Sequence, residues 1–306
     1  MPQKISRQRY LFDGPGTYYI DLFKSLSAQE RKMFRQHQVA NVMGGLIKDS
    51  NNESVVRMNV APDTWVTRTA LRRGKRLFDK HIEEALEGGL KLSDIKPKYH
   101  DFKVYLNNVM GSGTEMPVDA DGHTIPAGEW VYSNFHSEDV DWNVIATAGA
   151  GQPSNRQADT FDTMIVGRHV GTAQDWTRVS LMESWIESRS QPEDNDPPVP
   201  TAIKADPLVN LFDEADAADE IIDSLLQDND NPPYDRQSTF GIDQSNAAQN
   251  NLQRVAFAAT QTGAGQISAL NGFSALCGLV EVHITQAQGS GQVEMLLDVS
   301  MKGDKI

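Results

Sequence analysis

The chain has 306 residues, 39% of them apolar, which is room for one large β domain or two smaller ones and excludes a disordered composition. Its single cysteine, Cys277, excludes an intramolecular disulfide and a cysteine-based zinc site. No apolar run reaches the ~18 residues of a membrane span, and MPQKISRQRYLFDG lacks the apolar core of a signal peptide, so the chain is expected to be cytoplasmic at synthesis.

The net charge of −14 is unevenly spread. Residues 1–110 carry 19 Lys+Arg against 12 Asp+Glu, a balance of +7; residues 111–306 carry 9 against 30, a balance of −21. Such asymmetry predicts two surfaces in different electrostatic environments, although segments of one body can differ in charge without functional meaning.

Residues 1–36 read as a basic arm followed by a short helix. The arm closes in the turn cluster DGPG, TYYIDLF (17–23) is strand-like, and Ser27-Ala28-Gln29-Glu30 has capping-box spacing that starts a helix running through ERKMFRQ. Residues 37–306 read as the body. HQVANVMGGLIKD (37–49) and SVVRMNV (54–60) are strands around the polar tip DSNNE. A helix follows over about 64–88. Val66, Ala70, Gly74, Phe78, Ile82 and Ala85 recur at helical spacing there, and Leu71, Leu77 and Leu86 widen the stripe.

KYHDFKVYLNNV (98–109), GEWVYSNFHS (128–137), VDWNVIATAG (140–149) and TFDTMIVGRHVG (160–171) read as strands; WTRVSLMESWIES (176–188) is ambiguous with helix. The acidic connector QPEDNDPPVP leads to a second helix over about 206–227, opened by Asp206-Pro207. Its apolar face includes Phe212; its other face carries Asp213, Glu214, Asp216, Asp219, Glu220 and Asp223. The last third returns to strands: NLQRVAFAAT, ALCGLVEVHIT and QVEMLLDVSM. Strands and helices do not alternate in a βαβ rhythm, so the expectation is a mainly β sandwich or jelly roll with two helical insertions. An internal echo admits a compact double roll, the second from about residue 190. The strand count fits a single eight-stranded roll better.

The sequence offers little chemistry. It has no phosphate-binding loop, dinucleotide fingerprint, HExxH or nucleophile elbow. Cys277 lies in an apolar run and reads as a small buried hydrophobe. The histidines are scattered, and His81 and His283 read as structural. No catalytic residue and no cofactor are expected. Calcium is the one ion the acidic loops suggest, through Asp119 and Asp121, Asp194 and Asp196, and Asp228 and Asp230, yet DADGH has no bidentate glutamate at the twelfth position and solvated loops are the simpler reading.

Arg68, Arg72 and Arg76 form an i, i+4, i+8 stripe on the first long helix. Basic early and acidic late runs against the helix dipole, so tertiary or intersubunit partners are expected. The second helix, through Asp216, Asp219 and Glu220, is the suggested partner; nucleic acid and plain solvent are the alternatives. Trp65, Phe78, Trp185 and Phe212 are the expected packing anchors.

The order of YYIDL, LSAQERKMFRQ, PDTWVTRTAL, KYHDFKVY, AGEWVYS, NDNPPYD and ALCGLVEVHIT resembles capsid proteins encoded by small environmental and bacteriophage single-stranded DNA genomes. The resemblance spans nearly the whole chain, without one strong signature. It implies a jelly-roll major capsid protein of a tailless icosahedral virion, assembled in the host cytoplasm, with the double jelly roll of lipid-containing Flavobacterium phages as a related form. Its partners would be copies of itself in trimers or pentamers, other virion proteins, and packaged DNA or an internal membrane. Many small eukaryotic single-stranded DNA viruses open with a long arginine-rich arm; here there are only Lys4, Arg7 and Arg9, which puts packaging by the arm in doubt. Those three with Arg31, Lys32 and Arg35 are the candidates for an inner face that meets DNA or membrane. A β-sandwich binding module for carbohydrate, or a fibre protein with calcium in its acidic loops, is the alternative; a carboxylate-dependent hydrolase is a third.

Overall fold

The computed structural model describes residues 4–49, 54–87, 99–138, 158–172, 175–188, 252–260, 267–286 and 291–306. The expected 140–149 strand, the 191–200 connector and the 206–227 helix lie outside them.

The body is mainly β. One sheet runs β1 (Ile5–Asp13), β13 (Gln292–Ser300), β3 (Gln38–Asp49) and β10 (Ile267–Leu270). Along β3, β11 (Phe273–Leu276) continues the edge begun by β10, and β14 (Asp304–Lys305) also pairs with it. The second sheet runs β2 (Gly16–Asp21), β12 (Leu279–Gln286), β4 (Ser54–Val60) and β9 (Gln253–Ala259). Every neighbour in both sheets is antiparallel.

Side-chain alternation explains why these sheets face each other. In β4, Val56, Met58 and Val60 point inward and are buried while Val55, Arg57 and Asn59 lie on the other face. The same period places Tyr10 and Phe12 of β1, Val282 and Ile284 of β12, and Met295 and Leu297 of β13 in one shared core. The sheets therefore pack as in a β-sandwich.

Residues 5–13, expected as a basic arm, are instead a strand of this body, and the strand-like TYYIDLF lies in β2 and the start of α1. Ser6 and Gln8 occupy inward positions of β1, and those polar residues conceal its alternation. Gln8 is satisfied inside: it accepts from the Tyr10 hydroxyl at 2.6 Å and donates to the Leu22 carbonyl at 3.4 Å.

The first helix also differs from expectation. α1 spans Leu22–Glu30 and is capped by Asp21, so Ser27 sits near its end and the residues after Glu30 are not helical. Leu22, Phe23 and Leu26 supply its buried face, and Arg31 closes it in the left-handed region at φ 49°. The Ser27 hydroxyl bonds to the Phe23 carbonyl and accepts from the Phe34 amide.

Between β4 and β9 the chain leaves the sandwich. α2 (Trp65–Glu87) opens there, with the Thr64 hydroxyl accepting from the Thr67 amide. Thr67, Ala70, Leu71, Gly74 and Phe78 bury its face, while Leu77, expected on the stripe, is exposed. Gly74 permits the close approach of α3 (Leu181–Glu187): a Cβ there would lie 3.0 Å from Leu181 and 3.1 Å from Phe102.

A third sheet runs β5 (Asn134–Glu138), β6 (Ala158–Met164), β8 (Asp175–Ser180) and β7 (Val170–Thr172), with β6 and β8 parallel. The ambiguous 176–188 stretch is thus strand and then helix. A second core joins these elements to Tyr19, Val39, Leu276, Cys277 and Leu279. The inserted elements therefore pack on the end of the sandwich where β2 and β11 finish and β3 and β12 begin.

Of the strong strand expected over 98–109, the described residues 99–109 do not form one. Phe102, Lys103, Val104 and Leu106 are all buried, so neither face is free. Side chains supply part of the backbone pairing: the Val104 amide donates to Gln36 Oε1 at 2.6 Å and the Lys103 amide to the Ser133 hydroxyl at 2.9 Å. The Tyr105 amide reaches the Thr163 carbonyl at 3.0 Å. A 3₁₀ turn, Val109–Ser112, follows.

Candidate anion-binding groove

The capping of α1 by Asp21 has a second consequence, because that carboxylate is fully buried at the end of β2. Its Oδ1 accepts from the Phe23 amide at 3.1 Å and the Lys24 amide at 3.0 Å. Its Oδ2 accepts from Gln36 Nε2 and Trp130 Nε1, both at 3.0 Å, and from the Tyr132 hydroxyl at 3.4 Å. Burial pushes its pKa up to about 6 against the pull of these donors and of Lys24. One carboxylate thus ties together β2, α1, the 34–37 loop and the 130–132 segment.

Those tied elements form the walls of a groove of about 440 Å³. One wall is α1 and its exit, with Lys24, Arg31 and Lys32; the other is residues 99–103 and 127–131, with Tyr99, Lys103 and Trp130. Glu129 is the one carboxylate in the lining. Lys24 donates to the Thr114 hydroxyl at 2.8 Å. Lys32 stands 5.7 Å from the centre of the Phe34 ring.

Lys103 is the least ordinary member. Only 5% of its surface is exposed, and its ammonium lies 4.9 Å from the centre of the Trp130 ring. Burial lowers its pKa, opposed by Asp101, Asp21 and Glu129. Among the described residues its ammonium has no hydrogen-bond or ion-pair partner. The groove's chemistry is that of an anion site with aromatic surface beside the charges.

The six basic candidates divide. On β1, Arg7 grips Asp298 of β13 through two bonds of 2.7 and 2.8 Å. Arg9 bonds to Glu294 at 2.5 Å and to the Asp119 and Ala120 carbonyls. Lys4 lies 3.6 Å from Glu30, and Arg35 is 3.9 Å from Asp101. Arg31 and Lys32 line the groove. Sequence reasoning passed over Lys24, Lys103 and Trp130, because a cation in a strand-like run carries no sign that its end opens into a groove.

On α2, Arg68 pairs with Asp63 through bonds of 2.5 and 2.7 Å, and Arg72 donates to the Ile306 carbonyl at 3.2 Å; Arg76 is exposed. Asp216, Asp219 and Glu220 lie outside the described residues. Of the packing anchors, Phe78 is buried; Trp65 is exposed but meets Trp185 edge-on at 6.3 Å, and Phe212 lies outside.

Of the calcium candidates, Asp194, Asp196, Asp228 and Asp230 lie outside the described residues. Asp119 and Asp121 sit in an exposed turn with His123, each offering a ligand atom within 4.8 Å of the others. Asp119 Oδ1 already accepts from the Asp121 and His123 amides, which holds its pKa below the usual carboxylate range. A turn cap explains this carboxylate, and a histidine nitrogen is foreign to the all-oxygen sets calcium prefers.

Burial pushes the Cys277 thiol pKa well up, and among the described residues no helix is long and apolar enough to cross a membrane. No family model matches the chain, and no curated protein and no solved structure matches it.

Proposed function

We propose that the chain is a jelly-roll major capsid protein that self-assembles into an icosahedral shell around a DNA genome, with a structural rather than catalytic role. The observation that carries this reading is the strand order. β1-β13-β3-β10/β11 facing β2-β12-β4-β9, antiparallel throughout, supports the roll, because that order is what an eight-stranded roll of two Greek keys would give. Strands from both ends of the chain complete one sandwich, and the described residues between β4 and β9 add no strand to either of its sheets, which favours one roll over two.

The roll alone does not select a function, since lectins and cupins share it. The resemblance of the motif order to single-stranded DNA virus capsids supports the shell reading. Ile5, Met43 and Leu46 ring a shallow depression on the outer face of the first sheet, the kind of exposed apolar surface that a repeated subunit contact would cover. The paired state of Lys4, Arg7 and Arg9 moves the weight of an inward-facing charge to other cations.

The binding-module reading keeps one specific support, the exposed Asp119, Asp121 and His123 turn. Negative-stain electron microscopy with mass photometry, with and without calcium, separates the two. Shells, or trimers and pentamers that grow into them, support the capsid reading. A calcium-dependent discrete oligomer supports the module.

A further inference from the structure

We propose that the groove between α1 and the 99–103 and 127–131 segments binds a nucleic-acid single strand, its phosphates at Lys24, Arg31, Lys32 and Lys103 and a base against Tyr99 or Trp130. This deepens the capsid reading, on which the identity of the strand as packaged genome rests.

The first argument is charge. Four cations and one carboxylate line the groove in a chain whose net charge is −14. These four are not consumed by carboxylates in the way that Arg7 and Arg9 are. Lys103 is the sharpest case, a residue only 5% exposed whose ammonium lies against the Trp130 ring and hydrogen-bonds to none of the carboxylates around it, Asp101, Asp21 and Glu129, among the described residues. Desolvation still outweighs the pull of those carboxylates on Lys103, and an anion in the groove would further favour its charged form.

The second argument is shape. A duplex is a convex rod that presents phosphates outward, whereas a concave site of about 440 Å³ admits a nucleotide with its base unstacked. Aromatic surface next to backbone-neutralising cations is how proteins hold single strands without reading sequence. The Trp130 indole nitrogen is pinned to Asp21, so its ring is ordered before any ligand arrives. Tyr99, on the same wall, is 63% exposed.

The test is fluorescence anisotropy of a labelled oligothymidine of about 12 nucleotides, titrated with the full chain over a salt series. The paired variants are R31E/K32E in the groove and R72E/R76E on α2, which change the charge equally. Thermal melts establish that each is folded. The expected result is salt-dependent binding by the parent chain that R31E/K32E weakens at least ~10-fold, with the salt slope reduced by about 0.7 per lost phosphate contact. R72E/R76E should change affinity much less, and Tyr99→Ala should weaken binding about fivefold or more through lost stacking.

No binding by the parent chain at low salt would overturn the proposal. So would equal loss in both double variants, or a duplex of the same length bound as tightly as the single strand. An oligoglutamate bound in preference to the oligothymidine would assign the groove to an acidic polypeptide and also overturn it. Particle imaging keeps the two readings apart. Shells whose nucleic-acid content ignores R31E/K32E sink the groove alone; groove-dependent binding by a chain that never assembles sinks the shell alone.

Discussion

Trp130 donates its indole N–H to Oδ2 of the buried Asp21 at 3.0 Å, and through that bond the insertion is fastened to the β2–α1 corner of the sandwich. The same carboxylate caps α1 and anchors Gln36, whose Oε1 in turn accepts from the Val104 amide. The corner is therefore one polar network rather than a set of independent contacts.

Asp21→Ala should be among the most damaging single changes in the sandwich. It removes the cap of α1 and strands donors from Gln36, Trp130 and Tyr132 in a buried site. A loss of roughly 2–4 kcal/mol is expected in denaturant unfolding, with Trp130 fluorescence shifted in the native state. A loss well under 1 kcal/mol would mean that the network is not what fastens the corner.

The network also sets a pH dependence. The Asp21 pKa is raised to about 6 in the folded chain against an ordinary value of 3.8. Between those values the folded state binds more protons than the unfolded one, so this group's contribution is most favourable below about pH 4 and declines as pH rises through 6. The Tyr132 hydroxyl, 3.4 Å away, can accept from the protonated form. The difference in stability between the parent chain and Asp21→Ala should narrow by roughly 2 kcal/mol from pH 4 to pH 7. Asp298, whose pKa is lowered by Arg7, works in the opposite sense: its contribution is present above the ordinary carboxylate range and lost as pH falls. A difference curve that is flat across this window would contradict the assignment to Asp21.

Gly278 follows Cys277 in a turn where both residues have positive φ, 65° and 55°. A Cβ on Gly278 would lie 2.7 Å from the Phe23 ring, and the Gly278 carbonyl accepts from the Leu22 amide at 2.8 Å. Gly278→Ala combines left-handed strain with overpacking against α1, and a cost of about 2–4 kcal/mol is expected by thermal or urea unfolding. Unchanged stability would show that α1 can move away from this turn freely.

Cys277 is buried and its pKa is raised by that burial, so it should resist thiol reagents in the native chain and react only at the rate of opening. Labelling followed by mass spectrometry, with and without denaturant, checks this. Rapid native labelling would mean that the packing of the insertion on the sandwich end opens readily.

The mainly β class was legible because most sandwich strands obey a period of two, as β4 does with Val56, Met58 and Val60 inward. α2 was legible from its 3.6-residue stripe. Three features were not. The inward Ser6 and Gln8 broke the pattern of β1, and their burial depends on partners at Gln29, Glu30 and Leu22 far along the chain. Asp21 inside a strand-like run gave no sign that it starts a helix. The 98–109 segment has strand composition, but Gln36 and Ser133 side chains take bonds a neighbouring strand would supply. For the groove, Arg31 and Lys32 were visible as basic residues. Their meeting with Lys103 and Trp130 is tertiary, and no spacing in one sequence encodes it.

The central proposal is that this sandwich is a jelly roll that builds a shell, and particle imaging of the purified chain by negative-stain electron microscopy tests it most directly. The account predicts closed particles of uniform diameter, or trimers and pentamers that grow into them as concentration and ionic strength are varied. A monomer or small closed oligomer under every condition, with packaged DNA and other virion components also supplied, would contradict it.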